Sequence, residues 1–310
     1  MTMKQHITFM KELVAKGGPD SSEYLEFTQW LQTVSNELKE GVLSEKDLQL
    51  LRTEMGEALS ILTLQGFVFN KPHGYPGDYE IIEKIYQNHT SNDPELRKWD
   101  LYFQLQKAPI AVKNREKYFL DLLTGVEKVN KTNTPCRVLN IASGPCRDLF
   151  DFFSHGNHAD LFLDNVEFDP LAISYAKNLC KDFLKNINFL HTNAFDFSTT
   201  KKYQLVWSAG LFDYLKDTKF IFLLKRMKRL LGESGELIVG NFSTENPTRA
   251  YMEVLGDWQL NHRTPEQLIH LAKACGFKSS DIRIGQEPEG VNLFLHLKCG
   301  EEFIPQKYNK

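Results

Sequence analysis

Two residues stand where chemistry is expected. Gly144 lies within the run Val138-Leu139-Asn140-Ile141-Ala142-Ser143-Gly144-Pro145-Cys146-Arg147-Asp148-Leu149, and Glu167 closes the apolar run from Asp160. The first run reads as a strand entering a small-residue turn and then a helix. The second ends in an acid 23 positions after Gly144. An open α/β sheet holds a nucleoside-bearing ligand with this pattern: the glycine admits the ligand close to the backbone, and the carboxylate accepts from both ribose hydroxyls. A pyrophosphate needs several backbone N–H groups at a helix N-terminus and three glycines for close approach. The turn from Ala142 to Arg147 has one glycine, and Pro145 lacks an N–H. It therefore suits a nucleoside ligand without phosphate.

The elements that must position this turn follow from the periodicity. Up to about residue 128 the chain reads as helical, with Tyr24, Phe27, Trp30, Leu31 and Leu38 near helical spacing. Ser44 is placed to cap a second helix carrying Leu48, Leu51, Met55, Leu59 and Leu62. Asp78 caps a short helix, Asp93-Pro94 opens another, and Pro109 is placed as the first residue of the next. The polar stretch Lys128 to Pro135 reads as a linker, dividing a helical cap domain (1–130) from a second domain (131–310). From Arg137 strands alternate with helices. Strands fall near 137–142, 162–168, 187–191, 203–208, 235–241, 280–284 and 291–298, with helices clearest at 171–184, 217–231 and 264–275. Strands separated by helices imply parallel βαβ units. The last two are joined by a turn too short for a crossover, so they pair antiparallel. The expected fold is α/β: a Rossmann-like seven-stranded sheet with an antiparallel last strand, preceded by an all-helical N-terminal domain.

This arrangement resembles the class I S-adenosylmethionine (SAM) methyltransferases, whose cofactor has an adenosine and a methionine tail but no phosphate. The resemblance implies SAM as cofactor and a set of binding residues. Ala142, Gly144, Pro145 and Arg147 would belong to the turn. Glu167 would take the ribose, with Asp169 a second candidate whose place before Pro170 also suits a helix N-cap. Asn193, Ala194 and Phe195 would meet the adenine; Asn193 stands where these enzymes usually have Asp, but its side-chain oxygen still accepts from an N–H. Ser208 and Gly210 would line the cofactor after the fourth strand, where Asp213 and Tyr214 are either site residues or the start of a helix. No Asn/Asp-Pro-Pro-Tyr/Phe-like motif occurs there, which argues against methylation of a base amino group.

Further segments resemble a narrower group: Gly74-Tyr75-Pro76-Gly77-Asp78-Tyr79-Glu80, Ala111-Val112-Lys113-Asn114-Arg115, Gly240-Asn241-Phe242 with Asn246-Pro247, Met252-Glu253, Asp257-Trp258-Gln259-Leu260 with Arg263, and Glu289-Gly290-Val291-Asn292-Leu293-Phe294. Together they resemble bacterial methyltransferases that make 3-hydroxypalmitic acid methyl ester, over roughly residues 66–298. The resemblance implies a small carboxylic acid as methyl acceptor. Such an acid is ionised at neutral pH and needs no general base, whereas a phenol usually does. No base is evident in these motifs; His73, His191 and His262 lie near them and read more readily as structural. Arg263 and Arg115 are the best anchors for a substrate carboxylate, because a guanidinium offers a planar fork. Tyr75, Phe212, Phe242 and Trp258 would form an aromatic wall, and Gly74 and Gly77 would let their loop close over the cofactor. Tyr75, Trp258 and Arg263 are the expected catalytic set. The alternatives are a phenol or amine acceptor, or a SAM-binding regulator without activity.

Bulk properties agree with a soluble cytoplasmic enzyme. The 310 residues are 42% hydrophobic and 25% charged, with net charge −3 and a pI near 6.3. A nucleic-acid partner would call for a basic footprint, which this balance lacks. No apolar run is long enough for a membrane span, and Met1 to Gly18 has neither a signal-peptide nor a transit-peptide pattern. Five irregularly spaced cysteines argue against a disulfide framework and a metal site. Nothing in the sequence sets the oligomeric state.

Overall fold

A computed structural model of the chain describes residues 1–129, 135–300 and 302–304. The chain divides into two compact units, Met1–Ile110 with Asn246–Gln259, and Ala111–Glu245 with Leu260–Lys310.

The first unit is helical. It contains α1 (Met3–Ala15), α2 (Tyr24–Lys39), α3 (Glu45–Thr53), α4 (Leu64–Asn70), α5 (Tyr79–Tyr86), α6 (Arg97–Gln104) and the start of α7 (Lys107–Val129). Ser44 caps α3 in a reciprocal arrangement with Asp47, and the Asp78 carboxylate caps α5 by accepting from Glu80 and Ile81 N–H. The single helix expected through Leu62 ends at Thr53. Gly56 takes a left-handed φ of 49°, which an α-helix cannot continue through. Asp93-Pro94 precedes α6 in a turn, and α7 starts two residues before Pro109. Proline is tolerated there because first-turn N–H groups lack intrahelical acceptors. The core of this unit gathers Phe27, Trp30, Trp99 and Tyr102.

The expected boundary at residue 130 is displaced, and residues 130–134 lie outside the described ones. The division falls between Ile110 and Ala111, and residues 246–259, which contain α11 (Arg249–Val254), join the helical unit. The reason is packing. The buried Arg52 donates to Val254 O and Glu253 O, and Tyr251 OH donates to Gln65 Oε1.

The second unit is one seven-stranded sheet: β1 (Cys136–Ile141), β2 (Leu161–Glu167), β3 (Ile187–His191), β4 (Tyr203–Ser208), β5 (Leu231–Phe242), β6 (Ile282–Gln286) and β7 (Asn292–Lys298). Its order is β3-β2-β1-β4-β5-β7-β6. The first five strands run parallel, and β7 is antiparallel to both β5 and β6. This is the expected Rossmann-like seven-stranded sheet with an antiparallel last strand. Helices α8 (Arg147–Ser154), α9 (Pro170–Leu179), α10 (Asp217–Lys228) and α12 (Pro265–Ala274) complete it. Two apolar clusters hold the unit together. One contains Val206, Leu224, Leu237 and Leu295, and the other contains Phe119, Val138, Trp207 and Phe294. Adjacent residues of one strand, such as Val206 and Trp207, fall in different clusters, as the period of two requires. Four cysteines are buried and Cys299 is exposed, all of them free. Among the described residues no helix is long and apolar enough to cross a membrane, and no cluster of His, Cys, Asp or Glu has a metal-holding arrangement.

Candidate functional site

The turn after β1 is built against the end of β2. Ile141 pairs with Val166, and Ala142 N–H donates to Val166 O at 2.8 Å. Ala142, Gly144 and Cys146 all take left-handed φ, at 55°, 58° and 55°. Only glycine does so without cost, so the turn holds Ala142 and Cys146 under strain. Glu167, 4% exposed, fixes the loop. Its Oε2 accepts the Gly144 N–H at 2.9 Å, and its Oε1 accepts from Phe168 at 2.8 Å and Asp169 at 3.1 Å. Burial pushes the Glu167 carboxyl above its ordinary value, and these three amide bonds oppose the rise. An ionised carboxylate has about four acceptor positions, so roughly one remains for a ligand hydroxyl.

Two observations leave this turn open and partly unsatisfied. No heavy atom lies within 4 Å of the place a Cβ would occupy on Gly144. Ser143 Oγ is buried and has no hydrogen-bond partner among the described residues. Open space over a backbone and an orphaned hydroxyl are what a bound polar ligand would fill. An adenosyl ligand with an amino-acid tail fits this donor and acceptor set.

The other expected cofactor residues divide. Pro145 is buried in the turn, and Arg147 opens α8 with its guanidinium 5.2 Å from the Phe150 ring centroid. Asp169 caps α9, accepting Leu171 N–H at 2.8 Å, so its N-cap role is realised. Asn193 follows β3 and is exposed; its Oδ1 accepts Phe195 N–H at 2.9 Å, leaving a second lone pair. Ala194 and Phe195 are half-buried, with the Phe195 ring stacked 6.2 Å from Phe222. Ser208 departs from its expected role. It is fully buried and donates to Ile141 O at 3.0 Å, so it stitches β4 to β1. Gly210 is half-buried at the end of β4, with Arg115 Nη1 3.3 Å from where its Cβ would sit.

Arg263 is corrected more sharply. All five of its donors are engaged: Nε and Nη2 with Asp217 Oδ1, Nη1 with Asn241 Oδ1 and Phe212 O, Nη2 also with Leu215 O. It is 4% exposed and ties the segment after β4 to the end of β5, with no fork left for a substrate carboxylate. Phe212 is likewise core, packed edge-on against Phe220 at 4.7 Å, and Phe242 is buried in β5. Tyr75 and Trp258 belong to the helical unit. There Tyr75 is half-buried and Trp258 N–H donates to Met252 O. His73 pairs with Glu80, His191 with Phe168 O and His262 with Leu260 O, matching their structural reading.

Asp213 gains importance. It lies in the turn after β4, 2% exposed, with Oδ1 accepting Phe242 N–H at 2.5 Å and its carbonyl accepting Asn261 N–H. Burial pushes its carboxyl up to about 7, against the pull of the Phe242 amide and the charges of Arg115 and Arg263. Sequence reading left this residue undecided because its burial depends on pairing with β5. Ser143 was missed as well; its position between Ala142 and Gly144 in the small-residue turn was the available signal.

No family model and no curated relative matches the chain. Solved structures do share its fold. A possible exported protein from Bordetella parapertussis aligns with a TM-score of 0.56 at 16% identity, over 96% of this chain and 97% of that one. Magnesium protoporphyrin IX methyltransferase from Synechocystis PCC 6803, crystallised with bound SAM, aligns with a TM-score of 0.50 at 10% identity, over 77% and 98%.

Proposed function

We propose that the chain is a SAM-dependent methyltransferase that O-methylates the carboxylate of a small hydroxy or fatty acid. The observation that carries the cofactor reading is the Glu167–Gly144 pairing beneath an open glycine and an orphaned Ser143 hydroxyl. The fold shared with a SAM-bound methyltransferase supports it. SAM, when bound, supplies a methyl already activated on a sulfonium. Glu167 would accept a ribose hydroxyl, the Ser143–Gly144 turn would face the amino-acid tail, and Asn193 and Phe195 would meet the adenine. The protein's remaining task is alignment, because a carboxylate acceptor arrives ionised. The carboxylate acceptor rests on the resemblance of the motifs; Tyr75 and Trp258 stay with that resemblance as proposed acceptor contacts.

Incubation of pure protein with SAM and a panel of 3-hydroxy acids tests the reading, with methyl esters expected. Turnover of phenols or amines alone would overturn the acceptor class. No binding of S-adenosylhomocysteine (SAH) would overturn the cofactor.

Asp213 favours one second reading, an acceptor with an O–H. A carboxyl titrating near 7 at the end of β4 suits proton acceptance. A rate that rises tenfold per pH unit below about 7 and then levels would select it; a rate flat from pH 6 to 9 selects the carboxylate.

A further inference from the structure

We infer that Arg115 is the carboxylate-recognition residue of this site, laid across Gly210 to receive a ligand anion. The inference rests on the methyltransferase reading and names a residue for it. Helix α7 places Arg115 by packing. One turn further along, Tyr118 and Phe119 stack on the Trp207 ring of β4, with centroids 6.3 and 4.9 Å away. Stepping back one helical turn moves Arg115 towards the C-terminal end of that strand. There its Nη1 lies 3.3 Å from the point where a Gly210 Cβ would be, and its Cζ and Nη2 3.8 Å. A side chain at 210 would push the fork aside.

Other guanidinium groups in the protein are spent on its own fold. Arg52 gives its guanidinium to two carbonyls, Arg249 to Glu253, and Arg263 to four acceptor groups. Among the described residues Arg115 makes no hydrogen bond and no ion pair. Asp148, in the first turn of α8, and Asp213 act on it only through space. Burial raises both carboxyls, Asp148 to about 6 and Asp213 to about 7, and neither reaches the guanidinium with a hydrogen bond or ion pair among the described residues. A half-buried, unpaired fork at the strand end is matched by a carboxylate, which it binds with two parallel bonds. That carboxylate has two sources, the amino-acid tail of the cofactor or the methyl acceptor.

Calorimetric titration of wild type, R115M, R115K and G210A with SAH and with 5′-methylthioadenosine, which lacks the carboxylate, separates the outcomes. If the cofactor tail is the ligand, R115M binds SAH at least tenfold more weakly and methylthioadenosine unchanged. R115K and G210A fall between. If the acceptor is the ligand, SAH binding is unchanged and KM for 3-hydroxydecanoate rises at least tenfold while kcat changes little. Equal loss of both nucleosides marks a structural role and overturns the inference, as does wild-type behaviour of R115M in every assay. A wild type that fails to bind SAH sinks the methyltransferase reading itself, and this inference with it.

Discussion

Around Glu236, polar groups in the sheet unit form a chain: Tyr118 OH meets His296 Nε2 at 2.6 Å, His296 Nδ1 meets Glu236 Oε1 at 2.5 Å, and Glu236 Oε2 accepts Ile304 N–H at 2.6 Å. Around Gly144, at the other end of the parallel strands, the Ser143 hydroxyl is orphaned, the glycine faces open space, and Arg115 lies unpaired nearby in the same unit. Both regions bury charge. The first pairs its carboxylate internally with His296 and the Ile304 amide, although Arg283 Nε beside it is buried without a partner among the described residues, so its residues serve stability. The second leaves valences unfilled, which a native structure tolerates where a ligand completes them. Burial alone therefore does not identify a functional acid; the state of its partners does.

The comparison is most severely tested at Glu236. E236A strands a buried imidazole and a buried N–H, and should destabilise the protein by about 4 kcal/mol in urea unfolding. SAH affinity of the folded fraction should be unchanged; loss of both would erase the distinction. R263M removes five donors from the segment after β4 and should cost about 3 kcal/mol, again with SAH binding within threefold. A selective loss of acceptor binding at full stability would instead restore Arg263 as an anchor.

Asp213 lies between the two regimes. Its carboxyl titrates near 7 when folded and near 4 when unfolded. The folded state therefore holds the extra proton between those values, and stability falls as pH rises across them. D213N should remove that slope and gain roughly 2 kcal/mol over wild type at pH 8 relative to pH 5. The gain stays below the full shift because only the part of the interval above pH 5 lies between the two conditions. A parallel pH profile for the two proteins would count against it.

The smallest expected change is at Glu167. E167Q keeps the shape but loses charge-assisted acceptance, so SAH should bind about tenfold more weakly, about 1.4 kcal/mol. Stability should stay within about 1 kcal/mol, because burial already disfavours the charged form. A large drop in stability without a change in SAH binding would move Glu167 into the company of Glu236.

Most of the sheet was readable from local signals. Strand positions, the Asp169 and Ser44 caps and the Glu167 turn follow from periodicity and short-range turn chemistry, which depend on neighbours in sequence. Arg263 was misread because its type and its motif say nothing about four acceptors drawn from 212–217 and 241. Ser208 was misread because its partner, Ile141, lies a strand away. The domain boundary was drawn where polarity changes. The division into compact units follows contacts between residues some 200 positions apart, such as Arg52 with Val254, which no local pattern encodes.

That last contact bears on how the protein is made. The helical unit is discontinuous: residues 1–110 await 246–259, which come off the ribosome only after β5. Arg52 and Gln65 are synthesised early, and their partners Val254 and Tyr251 much later. A nascent chain cut at residue 130 would present the faces meant for α11 to water or to other chains. Expression of 1–130 as a separate domain should give an aggregation-prone product, whereas adding 246–259 through a short linker should restore solubility and cooperative unfolding.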